Sequence, residues 1–211
     1  MLKKKMYVAM IFMLILSWCS SPVLNVAFAD NIEVANSNVT AKFKSKEIDK
    51  MVKESQSIFP FVKKVNNKYV VDSEKARQNG VSDQLIKETE EGFIELNQKI
   101  SKNKLSTLGS CGGVSKTVST NSGKIVYLNS CEANELSYAL GIKSGVAAAV
   151  AAILSPIVPA GIAGGLIAAT LGIASATVGY YNSYGDGVKI YYTEQWVVWQ
   201  FQYTYDYMRS Q

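Results

Sequence analysis

The dominant pattern in the chain is a run without charge. Ser144 to Gly185, 42 consecutive positions, holds no Asp, Glu, Lys or Arg and is mostly Ala, Gly, Val, Ile and Leu. Ser155-Pro156-Ile157-Val158-Pro159 interrupts it, because proline removes a backbone donor and clashes with the preceding helical turn. The pattern predicts a helical hairpin, with a first arm over Gly145–Leu154 and a second over Ala160–Gly179. Ten helical residues span about 15 Å and twenty about 30 Å, so only the second arm matches the hydrocarbon core of a bilayer.

The small residues of the second arm are ordered. Gly161, Gly165 and Ala169 recur at spacing four, as do Gly164, Ala168, Gly172 and Ala176. That spacing sets each series along one side of a helix. Small side chains there let another helix approach to backbone distance, within one chain or by self-association. A helix apolar on every side is a deep core element or a membrane element. The residues leave both readings open. They are compatible if the hairpin is covered in the resting protein and exposed at a target bilayer.

Period-two alternation surrounds the run. Val114–Ser119 and Lys124–Asn129 flank the turn sequence Thr120-Asn121-Ser122-Gly123. After the turn Gly185-Asp186-Gly187, Val188–Tyr192 reads as a third strand and Trp196–Tyr207 as a fourth. In the last, Val197, Trp199, Phe201, Tyr203, Tyr205 and Tyr207 are expected on one face. Eight of the twelve tyrosines lie in the final 32 residues. Trp196, Trp199, Phe201 and Tyr203 are the candidates for aromatics at a membrane interface, although a sheet face covering the hairpin would use the same residues.

The first half is charged and helical. Lys46–Ser57 reads as a short helix, and Phe61–Lys64 with Lys68–Asp72 as a hairpin around Asn66-Asn67. Ser73–Gln78 supplies one or two turns, and Ser82 an N-cap. The helix after it is expected to set Leu85, Ile86, Phe93, Ile94, Leu96 and Ile100 on one broad face. The fold class is therefore α+β: a charged helical region, then an antiparallel sheet packed with an apolar Gly/Ala-rich hairpin.

Composition narrows the chemistry. The 211 residues include no His, which removes Ser-His-Asp and Cys-His systems and imidazole metal sites. Lys3-Lys4-Lys5, the apolar Met6–Leu16 and Ala27-Phe28-Ala29 read as a secretory signal peptide over residues 1–29. Its removal takes three of 22 basic residues and none of 17 acids, leaving a net charge of +2. That balance argues against nucleic acid as a partner. Cys111 and Cys131 remain, and in an exported chain a disulfide is expected. Residues 30–110 carry 14 basic and 12 acidic residues, and 111–211 only five of each. The shift marks a boundary, with 102–110 as linker and 30–110 as either an ordinary packed region or a pro-region that shields the rest. Without His, paired carboxylates are the remaining route to catalysis, and Glu132, Glu135 and Asp186 are the acids on offer. Nothing in their spacing selects a pair, so we expect no enzyme, cofactor, metal or small-molecule substrate.

Cys111-Gly112-Gly113-Val114, Lys124-Ile125-Val126-Tyr127-Leu128, Asn134, Leu136, the Gly/Ala run and Gly185-Asp186-Gly187-Val188-Lys189-Ile190 follow one another in a distinctive order. Over roughly residues 111–203 this resembles small secreted proteins of Gram-positive bacteria, some of which are similar to large, unmodified bacteriocins of the geobacillin type. The resemblance implies action on bacterial envelopes and transfers no catalytic residue. Two functions are expected to compete: a secreted antibacterial acting on the bacterial membrane through its hairpin, and an extracellular or envelope binding module whose hairpin is core.

Overall fold

A computed structural model describes residues 45–103, 111–197 and 200–211, all within one compact unit, Thr40–Gln211. The expected signal peptide, residues 30–44, most of the linker and Trp199 lie outside the described residues.

The first half forms helix α1 (Ser45–Ile58), a 3-10 turn (Phe59–Phe61), strands β1 (Val62–Val65) and β2 (Lys68–Val71), and helices α2 (Ser73–Gln78) and α3 (Asp83–Asn103). Asn66 and Asn67 take φ of 50° and 61°, the left-handed pair that a two-residue hairpin needs. Ser82 caps α3, its Oγ accepting from the Leu85 N–H at 3.3 Å. Ile86, Phe93, Leu96 and Ile100 are buried, but Ile94 is 59% exposed. The stripe is thus narrower than expected: it follows 86, 93, 96 and 100, and Ile94 stands about 100° round the helix from Phe93.

The second half comprises β3 (Lys116–Ser119), β4 (Gly123–Leu128), α4 (Ser130–Leu140), α5 (Val146–Leu154), α6 (Ala160–Leu171), α7 (Ser175–Asn182), β5 (Val188–Val197) and β6 (Gln200–Ser210). The four strands pair antiparallel in the order β3-β4-β5-β6, and β1-β2 forms a separate ribbon. The fold is α+β. Cys111 and Cys131 are joined, with their Cα atoms 5.4 Å apart, and the bond ties the approach to β3 to the first turn of α4.

Two expectations change. The strand expected over Trp196–Tyr207 is two strands, since Trp196 and Val197 end β5 and Gln200 begins β6. Val197 therefore shares no strand with Tyr203. A bulge then flips the parity: Tyr191 pairs with Tyr207 but Tyr192 with Tyr205, leaving Asp206 as the extra residue. Tyr203 and Tyr205 face the helices, whereas Tyr207 faces outward and stacks on Tyr191 with ring centroids 4.2 Å apart.

The second arm of the hairpin is also broken. Helix α6 stops at Leu171, Ala174 is extended at ψ 136°, and α7 leaves at 98° to α6. Gly172, counted in a small-residue series, is the C-cap of α6. The Thr170 hydroxyl donates to the Leu166 carbonyl at 2.6 Å and lies 2.7 Å from the Tyr192 hydroxyl, fixing the end of α6 against the sheet. Among the described residues no single helix is long and apolar enough to cross a membrane; the bent pair Gly161–Leu171 and Ser175–Asn182 passes by length and composition.

Candidate functional site: the apolar helices and their cover

Helix α5 is nine residues of Val, Ala, Ile and Leu, and all but Ala152 are buried. Alanine is the strongest helix former, and Pro156 follows soon after Leu154, so the segment forms and stops where its sequence says. Helices α4 and α6 pack on it from the second half of the chain, and α1 and α3 from the charged half. The two compositional halves share one core.

Small residues set the fit. Gly92 of α3 lies so close to Ser144 that a β-carbon there would stand 2.2 Å from its carbonyl oxygen. Gly145 takes φ 64° at the start of α5, facing the Glu88 carbonyl and Thr89. Gly92 was legible only as a glycine inside an otherwise strong helical pattern, the signal of a close approach. A groove of about 340 Å³ remains between α1, α3 and the first turn of α5, lined by Met51, Ser55, Leu85, Thr89, Val146 and Ala148.

The ordered small residues of the second arm do not act as one surface. Gly164 is covered by Gln56 and Val52 of α1, and Gly165 by the ring of Tyr203. Ala168 is half-buried, whereas Gly161 and Ala176 are exposed. A β-carbon at Gly161 would meet nothing within 4 Å. Of the candidate interfacial aromatics, Trp196 is 59% exposed at the end of β5, with Phe201 opposite it in register. Tyr203 is buried instead, because the parity of β6 turns it under α6.

A polar clasp joins the halves. Glu135 of α4 is only 8% exposed. Lys64 Nζ donates to its two carboxylate oxygens at 2.8 and 2.7 Å, and the Tyr69 hydroxyl donates to Oε2 at 2.6 Å. The Lys64 ammonium also lies 5.0 Å from the Tyr69 ring centroid. Asn97 of α3 holds the Tyr69 backbone on both sides, at 2.8 Å each. Burial, then the charge of Glu135 and the hydrogen bond to it, push the Tyr69 phenol well above its ordinary range. Sequence reasoning offered Glu135 only as a stray acid, since its partners lie 71 and 66 residues away.

The other two acids have structural partners or stand apart. Glu132 completes a capping box with Asn129 and accepts from the Ser115 hydroxyl. Asp186 is exposed in the turn beside Gly112 and Gly113. Among the described residues no three His, Cys, Asp or Glu side chains cluster as metal ligands. Glu132 and Glu135 sit three positions apart on α4, but each is taken up by its own donors.

No protein-family model matches the chain, and no curated protein or solved structure matches it significantly.

Proposed function

We propose that this is an exported antibacterial protein of bacteriocin-like type, which acts on the target cell membrane and carries its apolar helices under a charged cover. One observation supports the reading above the others: α5 is closed over by α1 and α3, which belong to the charged half and precede the segment 104–110. In this reading residues 1–29 direct export, a cut near 104–110 frees the cover, and the hairpin then meets lipid.

Energetics call for such a trigger. Ile58, Ile86, Phe93 and Leu96 of the cover are each at most 2% exposed. At about 1.5–3 kcal/mol per side chain, their burial is worth roughly 6–12 kcal/mol, part of it from contacts inside the cover such as Phe93 on Tyr69. Spontaneous uncovering at that cost is negligible: a cut within 104–110 removes only the tether, and a lipid surface has to supply the difference.

The test is dye release from liposomes at micromolar protein, before and after cleavage within 104–110, with mass spectrometry of the secreted product. A fragment starting near residue 106 and leakage after the cut are expected. No leakage in either form overturns the reading. The second reading, an extracellular or envelope binding module with a permanent apolar core, is favoured by the 98° bend between α6 and α7. A chain that stays in the aqueous phase on detergent partition and releases no dye selects it.

A further inference from the structure

The face of the four-stranded sheet turned away from the helices carries two ordered rows. Register aligns Lys116, Tyr127, Lys189 and Arg209 across all four strands. Two residues along each strand, Val118, Ile125, Tyr191 and Tyr207 align in the next row. Strand spacing makes each row about 14 Å long and the rows about 7 Å apart. The inward positions of the same strands, including Val126, Leu128, Ile190 and Met208, are buried. The eight positions of the two rows are exposed or half-buried, with Val118 at 36% and Tyr207 at 38%.

The chemistry of the two rows differs. The first presents three cations, none of which forms a salt bridge among the described residues. Lys116 and Lys189 lie 5.0 and 6.0 Å from the Tyr127 ring centroid, and Arg209 lies 5.1 Å from that of Tyr207. The second row is aliphatic and aromatic, with Tyr191 stacked on Tyr207. None of the eight positions is an acid, and the nearest acid in sequence, Asp206, is the bulge residue and belongs to neither row.

We propose that this face docks the protein on an anionic lipid surface. A cationic line beside an apolar, tyrosine-rich line matches the layering of such a surface, where phosphate headgroups lie just outside the acyl boundary and tyrosine is at home between them. Charge complementarity selects the anionic bilayer: the two rows offer three cations and no carboxylate. The proposal deepens the membrane reading by naming the surface that makes first contact, and it does not require that the hairpin ever insert.

The test is co-sedimentation of the full secreted chain with phosphatidylcholine vesicles, with and without phosphatidylglycerol, with dye release read on the same samples. Binding is expected only with phosphatidylglycerol. The triple variant Lys116→Gln, Lys189→Gln, Arg209→Gln should bind roughly a hundredfold more weakly, each charge near the surface counting about fivefold. A control removes the same charge elsewhere, by Lys46→Gln, Lys50→Gln and Lys53→Gln on the exposed side of α1. It should keep most of the affinity, and matching melting curves exclude misfolding as the cause. Equal loss in both variants, or equal binding to neutral vesicles, overturns the proposal. So does retention by a phosphate-bearing cell-wall polymer with no binding to vesicles. Binding that depends on the face but releases no dye supports docking while sinking the lytic reading.

Discussion

Replacing Lys64 with Met leaves the Glu135 carboxylate, 8% exposed, with the Tyr69 hydroxyl as its remaining donor among the bonds seen here. Removing one partner of a buried ion pair costs about 3–5 kcal/mol, chiefly because the other charge stays desolvated. Here the lysine side chain is 38% exposed against 11% for the glutamate, so water can reach part of the vacated space. That lowers the expected cost to about 2 kcal/mol. For a domain of this size the melting temperature should fall by roughly 4–8 °C.

The cause is isolated by a double-mutant cycle with Glu135→Gln. A neutral amide fills the same space and still accepts from Tyr69, but it needs no counter-charge. Lys64→Met should therefore cost at least about 1 kcal/mol less in the Glu135→Gln background than alone. The readout is urea denaturation of the four proteins with a common m-value. Additive effects, within about 0.5 kcal/mol, would refute the idea that a buried charge holds the hairpin β1–β2 to α4. The same variant bears on function: with the clasp weakened, dye release should appear at lower protein concentration if the first half is a cover.

Three further outcomes follow from the packing. Gly165→Ala sets a methyl group 2.6 Å from Tyr203 Cδ2 and should cost about 1–3 kcal/mol, whereas Gly161→Ala meets nothing and should stabilise α6 by up to about 1 kcal/mol; equal effects in thermal melting would argue against the seating of α6 on β6. Replacing Cys111 and Cys131 together by Ser should cost roughly 3 kcal/mol in urea titrations, since the bond closes a loop with a sequence separation of 20; an unchanged midpoint would mean the loop is ordered without it. Burial, then Tyr181 and Asp206, push the Tyr205 phenol up to about 12, so its stabilisation is complete below the unfolded value near 10 and is lost as pH rises from about 10 towards 12. Tyr205→Phe should flatten the decline of the urea midpoint over that window, and an identical slope would refute the assignment.

Much of this was legible because it is local. Asn66-Asn67, Ser82 and the two prolines fix their backbone within a few residues, and periods of 3.6 and 2 fixed the type of most elements. The helix expected over Ala160–Gly179 failed for a non-local reason. Nothing from Gly161 to Gly179 forbids one straight helix; the stop comes where Thr170 meets Tyr192, 22 residues on, and where α7 finds its seat on α4. The outward flip of Tyr207 has the same character, since a bulge at Asp206 is a property of two strands in register. The Lys64–Glu135 clasp and the two rows on the outer sheet face likewise exist only once distant segments meet. Alternation along β6 could show that a face exists, never that Lys116 and Arg209 stand at its two ends.

The bend has a consequence for the membrane reading that can be put to the test. Straightened, Ala160 to Asn182 is about 23 residues and roughly 34 Å, enough for a hydrocarbon core of about 30 Å. To straighten, α7 has to leave α4. It is held there by Ser137 Oγ donating to the Ser175 carbonyl at 3.0 Å, by Ser175 Oγ donating to the Ser137 carbonyl at 2.6 Å, and by Asn182 Nδ2 donating to the Ser130 carbonyl at 2.9 Å and to Asn134 Oδ1 at 2.8 Å. This seat is polar, and the buried Asn182 Oδ1 finds no partner among the described residues. The two serine Oγ atoms lie 3.3 Å apart, close enough for Ser137→Cys with Ser175→Cys to form a cross-link. If insertion runs through a straightened α6–α7, the oxidised double variant should bind vesicles as the parent does and release no dye. Its reduced form should match the parent kept in the same reductant. Full dye release from the cross-linked protein would show that α7 stays seated on α4 during membrane damage, and the spanning route would fall with it.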